Sequence, residues 1–111
     1  MIGVDQDEFF TTFRNGDAPG ARYLLTSVLK RVDVAAYESI RGRRLGTFTS
    51  GSVTLGIAED GMGLAPYHLA ADQITAEMQQ QIDVIYAGLR EGSIDTGVDP
   101  LTGELAGGDS R

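Results

Sequence analysis

Two short stretches carry the residues that could do chemistry: Asp5-Gln6-Asp7-Glu8, with three carboxylates in four positions, and Thr26-Ser27 followed by Lys30. A carboxylate cluster invites a calcium loop. The alternating oxygen ligands and the closing glutamate of such a loop are missing, so no metal site is expected. A paired-carboxylate hydrolase fits poorly too. Neighbours on an extended segment point to opposite faces, so Asp5 and Asp7 share a face and Glu8 does not. His68, the single histidine, falls in a loop with no cysteine or carboxylate at ligand spacing and reads as a surface residue. Cysteine is absent, which excludes thiol catalysis, disulfides and zinc-thiolate sites. Acid–base work would fall to carboxylates alone, so no catalytic residues, no enzymatic activity and no cofactor are expected. What remains is recognition. Asp5 is an acceptor-only carboxylate and Lys30 a donor-only ammonium, a pair suited to gripping vicinal hydroxyls. Asp7, Thr26 and Ser27 stand beside them as secondary polar groups. The plainer alternative is that Asp5 caps the next turn and Lys30 pairs with Asp33 or with solvent.

The elements that must position these residues can be read from periodicity. Residues 2–4 resemble the end of a strand, and the apolar run 23–25 a second one. Thr26 and Ser27 then suit a helix cap, with Val28, Leu29, Val32, Ala35, Ala36 and Ile40 on one face of a helix over 27–41. Arg41, Arg43 and Arg44 complement the carboxyl end of that helix, and Gly42 is its expected stop. Strand, polar corner and helix make half of a βαβ unit. In an open α/β sheet ligands bind outside the carboxyl ends of the strands, where Asp5 and Lys30 would be neighbours.

Between the strands, Phe9, Phe10 and Phe13 follow a helical spacing that suits core packing or, less plainly, a lid over a ligand. Asn15-Gly16-Asp17 and Pro19-Gly20 then break regular structure. Residues 53–57 and 62–65 read as a hairpin closed at Asp60-Gly61 and stopped by Pro66. A second helix over 74–90 carries Ile74, Met78, Ile82, Ile85 and Leu89 as a core stripe, with Asp72 as its expected cap and Gly92 at its end. Residues 93–111 are glycine-rich and poor in apolar side chains, and are expected to form a flexible tail.

The bulk composition narrows the partners. Sixteen acidic against nine basic residues give a net charge of −7, unfavourable for binding a phosphate backbone, so no nucleic-acid partner is expected. No secretory signal precedes the acidic cluster, and no apolar run approaches the roughly twenty residues that cross a bilayer. Length allows one small α/β domain. Yet two short parallel strands cannot form a doubly covered sheet, so the fold is expected to begin partway through.

G-V-D-Q-D-E at 3–8, T-S-V-L-K-R-V-D-V-A-A-Y at 26–37 and L-G-I-A-E-D-G-M-G-L-A-P at 55–66 together resemble the C-terminal third of the basic membrane protein family. These are substrate-binding lipoproteins of ABC transporters that take up purine nucleosides. The resemblance covers about residues 2–92. It implies the C-terminal portion of a type I periplasmic-binding-protein fold at 1–92, truncated at its N-terminus, with the lipidated cysteine and the base-stacking aromatics in the missing part. It further implies a nucleoside ligand, a transporter permease as partner, and a place in the cell envelope at the extracytoplasmic face of the plasma membrane. In the family the first aspartate of G-V-D-x-D-Q and the lysine of T-S-x-x-K contact the ribose; these correspond to Asp5 and Lys30. Glu8 stands where the motif has glutamine. The competing expectation is a residual α/β interaction or regulatory domain with no ligand of its own.

Overall fold

The computed structural model describes residues 1–99 and 102–105. Strand β1, Ile2–Asp5, alternates β-branched Ile2 and Val4 with Gly3 and Asp5. A single helical turn follows, α1 at Glu8–Thr11, whose cap is Asp7: its Oδ1 accepts the Phe9 N–H at 3.1 Å. Two 3₁₀ turns, Arg14–Gly16 and Ala21–Tyr23, lead into β2 at Thr26–Lys30, which passes directly to α2 at Val32–Leu45. Then come β3 at Met62–Leu64, a 3₁₀ turn at His68–Gln73, and α3 at Ala76–Glu91.

The three strands form one open, mixed sheet in the order β1-β2-β3. β1 runs parallel to β2, with Ile2 opposite Thr26 and Asp5 opposite Leu29. β3 pairs antiparallel with β2, Val28 opposite Leu64 and Lys30 opposite Met62. The α/β class expected from the sequence is the class observed.

Several local expectations are corrected. The second strand is not 23–25 but Thr26–Lys30, so Thr26 and Ser27 are strand residues and do not cap the helix that follows. Both are buried, and their hydroxyls serve the packing: Thr26 Oγ1 donates to the Ala65 carbonyl at 2.7 Å, and Ser27 Oγ accepts the Glu8 N–H at 3.1 Å. Val28 and Leu29 belong to the sheet rather than to a helical face. α2 continues through Gly42 and stops at Gly46, whose φ of 72° suits a glycine cap. α3 is capped by Thr75, whose Oγ1 accepts the Met78 N–H at 3.2 Å, not by Asp72. The turn at Asp60-Gly61 is present, with Gly61 N donating to Gly56 O at 2.8 Å. No hairpin grows from it, because β3 uses its hydrogen bonds on β2 and 53–57 stays irregular.

The core is the connection between β1 and β2: Phe13, Ala21 and Leu24 are buried, with Phe9 and Ala18 against them. No α2 residue is buried, and in α3 only Gly88 is. Ser93 and Ile94, at the start of the expected tail, fold back on α3, their N–H groups donating to the Gly88 carbonyl at 2.9 and 3.1 Å. Val98 and Leu105 form an isolated antiparallel bridge. Residues 100, 101 and 106–111 of that tail lie outside the described residues.

Gly3 is held where a side chain does not fit, since a Cβ there would lie 2.5 Å from Ser27 Oγ and 2.9 Å from Glu8 Cδ. Overpacking of this kind costs roughly 1–3 kcal/mol. Gly3→Ala should therefore lower the unfolding free energy measured by urea denaturation by an amount in that range, with a correspondingly lower midpoint. An unchanged midpoint would mean that β1 moves away from β2 without penalty.

Candidate functional site

The parallel register brings the two expected contact residues to the same end of the sheet. Asp5 is the last residue of β1 and lies opposite Leu29; Lys30, the last residue of β2, follows it. Alternation puts Lys30 on the opposite face from Leu29, so the pair straddles the carboxyl edge instead of sharing one face. Both residues are exposed. Among the described residues, no hydrogen bond or ion pair engages either side chain. Lys30 does not pair with Asp33; Arg31 does, through Nη2 at 2.8 Å and Nε at 2.9 Å. The hydrogen bond from Arg31 holds the exposed Asp33 carboxyl down at about 2.

Asp5 has a backbone φ of 72°, and the Gln6 N–H donates back to the Val4 carbonyl at 2.9 Å. A hydrogen bond from residue i+2 to i around a positive φ is a γ-turn of the strained kind. It swings the chain sharply off the sheet and sets the Asp5 carboxylate at its edge. The rest of the loop is tied down. Glu8 N donates to the fully buried Ser27 Oγ, and Glu8 Oε1 accepts the Val4 N–H at 3.3 Å.

Asp7 is already engaged by the protein through both oxygens. Its second oxygen, Oδ2, lies 2.7 Å from His68 Nε2, with the two side chains 17% and 16% exposed. The carboxylate only accepts, so Nε2 carries the proton. The imidazole stacks on Phe9, ring centroids 4.0 Å apart and planes 8° from parallel, and meets Phe10 edge-on at 5.3 Å. His68 is thus not the isolated surface residue that its sequence context suggests. The partnership spans 61 positions, and only the folded chain reveals it. Of the three phenylalanines, Phe13 is core, Phe9 backs His68, and Phe10 remains 55% exposed.

A cleft of about 1030 Å³ lies elsewhere. It is lined by Leu29 and Gly63 of the sheet, Val34 and Tyr37 of α2, and Ile82 and Tyr86 of α3, and includes neither Asp5 nor Lys30. Among the described residues no cluster of histidine or acidic side chains could hold a metal ion, and no helix is long and apolar enough to cross a membrane.

No protein-family model matches the chain, and no curated protein matches it significantly. Among solved structures it is similar to an ABC transporter system solute-binding protein from Aeropyrum pernix K1, with a TM-score of 0.54 and 23% identity. The match covers 85% of this chain and 31% of that one, so the chain spans about a third of that protein's length. The likeness establishes a fold of the kind found in part of that solute-binding protein, a small open α/β sheet with helices.

A non-glycine residue in the left-handed region costs about 1 kcal/mol, somewhat less for aspartate than for bulkier side chains. Asp5→Gly should therefore raise the unfolding free energy by up to about 1 kcal/mol, seen as a higher chemical-denaturation midpoint, and Asp5→Val should lower both. A lower midpoint in Asp5→Gly would show that the carboxylate stabilises the fold by a contact and that strain is not its defining feature.

Proposed function

We propose that this chain is the ligand-gripping part of an ABC transporter substrate-binding protein, a non-enzymatic module acting at the extracytoplasmic face of the membrane. The observation that carries the reading is the state of Asp5 and Lys30: opposite charges at adjacent strand ends, exposed, and without protein partners among the described residues. Neither side chain is taken up in a local ion pair of the kind that Arg31 and Asp33 form. A strained γ-turn holding one of the pair adds weight, since backbone strain collects at ligand clamps. The solute-binding fold of the Aeropyrum protein supports the transport class. The motif resemblance supports a purine-type nucleoside as ligand, its ribose hydroxyls donating to Asp5 and accepting from Lys30. The transporter permease is the partner this reading implies.

A second reading has its own observation. Ile2, Val4 and Leu64, which alternation and register put on one sheet face, are 58%, 61% and 41% exposed. That apolar face suits an interaction domain without a small ligand.

Titration calorimetry separates the two. Charge-assisted hydrogen bonds contribute on the order of 1.5–3 kcal/mol, so Asp5→Ala should weaken nucleoside binding by roughly ten- to a hundredfold. Asp5→Asn should fall between, and Lys30→Met should lose the donor while keeping the stem. A 2′,3′-dideoxynucleoside should bind weakly to the wild-type chain and lose little more in Asp5→Ala. Equal losses for both ligands would remove Asp5 from the ribose contact. No binding of any nucleoside, with concentration-dependent self-association in sedimentation, would favour the interaction domain.

A further inference from the structure

His68 touches three things at once: the Asp7 carboxylate, the face of Phe9 and the edge of Phe10. We infer that His68 is the positioning residue of the strand-end site, a clamp that fixes the Asp5–Glu8 loop from the far side of the fold. The inference rests on the binding function proposed above and extends it to a residue that touches no ligand.

The loop from Asp5 to Glu8 has four anchors. The γ-turn joins Gln6 to Val4, the Glu8 N–H bonds Ser27 Oγ, and Glu8 Oε1 accepts the Val4 N–H. These three reach no further than the first two strands. The fourth comes from beyond β3, where the Asp7 carboxylate is divided between two tasks. Oδ1 caps α1 through Phe9 N, and Oδ2 receives His68 Nε2. Asp7 lies two residues from Asp5, so the orientation of its carboxylate sets how α1 begins and how the γ-turn leaves the sheet. Phe9 is the second grip: it belongs to α1, and its ring packs flat on the imidazole. Carboxylate and ring together leave the loop little rotational freedom about the sheet edge.

The backbone of His68 bears the mark of this constraint. Its φ is 46°, a left-handed conformation that an L-residue with a ring adopts at a cost. The conformation persists because the ring is held on both sides. Without the clamp, Asp7 Oδ2 would be left half-buried without a donor, and Asp5 would have to be ordered by the ligand at the moment of binding. That ordering would weaken affinity even though every group that touches the ligand is still in place.

Two variants divide the two grips. His68→Phe keeps a ring to stack on Phe9 and removes the donor. His68→Gln removes the stack and can present an amide N–H where Nε2 stood. Amide hydrogen exchange on the ligand-free chain is the first readout. In His68→Phe, the amides of residues 6–9 should exchange about tenfold faster while those of α3 keep their rates, and His68→Gln should restore most of the protection. Asp7→Asn weakens the same bond from the other side and should match His68→Phe, with the double variant no worse than either single one. This arm also decides the matter if His68→Phe does not fold. The second readout is binding: His68→Phe should weaken a ribonucleoside by about tenfold and leave the affinity of a 2′,3′-dideoxynucleoside unchanged. Exchange at residues 6–9 equal to that of the wild type, or equal acceleration throughout α3 and the sheet, would overturn the clamp. If the wild-type chain bound no nucleoside, the transport function would fail while exchange still decided the role of His68.

Discussion

Gly3 approaches Ser27 so closely that no β-carbon could stand between them, and the layout of the sheet's carboxyl edge depends on that contact. Ser27 is fully buried, and a buried hydroxyl needs a partner. The partner is the Glu8 N–H, which becomes available only if the chain leaves β1 by a tight reversal. The γ-turn at Asp5 supplies that reversal. Glu8 then sends its carboxylate back to the Val4 N–H on the edge of β1. A backbone contact in the middle of the sheet therefore fixes the path of the loop that carries Asp5. The strain at Asp5 is offset by hydrogen bonds made on either side of it.

The first strand, the parallel pairing of two strands, the existence of the α3 helix and the strand edge that carries both Asp5 and Lys30 are legible in the sequence. The core role expected of the α3 stripe is not borne out, since Met78 and Ile85 are exposed and only Gly88 of the helix is buried. The three-residue displacement of the second strand is not legible. Thr26-Ser27 has the look of a helix cap because their hydroxyls can serve the first turn of a helix. Here Thr26 finds the Ala65 carbonyl, 39 positions away, and Ser27 finds Glu8, 19 positions away. α2 starts at Val32 with no side-chain cap at all, so the local signal has nothing true to point to. His68 shows the same limit. Its partner is 61 positions distant, and nothing in the spacing of a lone histidine announces a carboxylate across the fold. At Asp60-Gly61 the turn chemistry is legible. The pairing is not, because β3 has a choice of partners and β2 offers the longer neighbour.

The helices carry the apolar periodicity of core elements, yet their stripes are only partly covered. Ile40 is 71% exposed and Ile85 51%, and α3 meets the sheet through single polar contacts such as Tyr86 Oη donating to the Met62 carbonyl at 3.2 Å. The packed centre of the chain is instead the β1–β2 connection around Phe13. This explains why the strand-end loop is firmly built although the helices are loosely seated. Of its anchors, Phe9 packs against that buried cluster and His68 stacks on Phe9.

Charge placement, more than volume, distinguishes the strand ends from the large cleft. The cleft is lined by five carboxylates, and each already has a donor: Asp33 from Arg31, Glu38 from Arg41, Glu59 from Gly56 N, Asp60 from Arg90 and Asp83 from Gln79 Nε2. Exposed pairs of this sort contribute at most about 1 kcal/mol each. The cleft is best understood as the gap between two helices and a sheet that they do not close upon. Asp5 and Lys30 present the opposite case, with little enclosed volume but two full charges that the described protein leaves without partners. A hydroxyl-bearing ligand at that edge would satisfy both without breaking any existing bond.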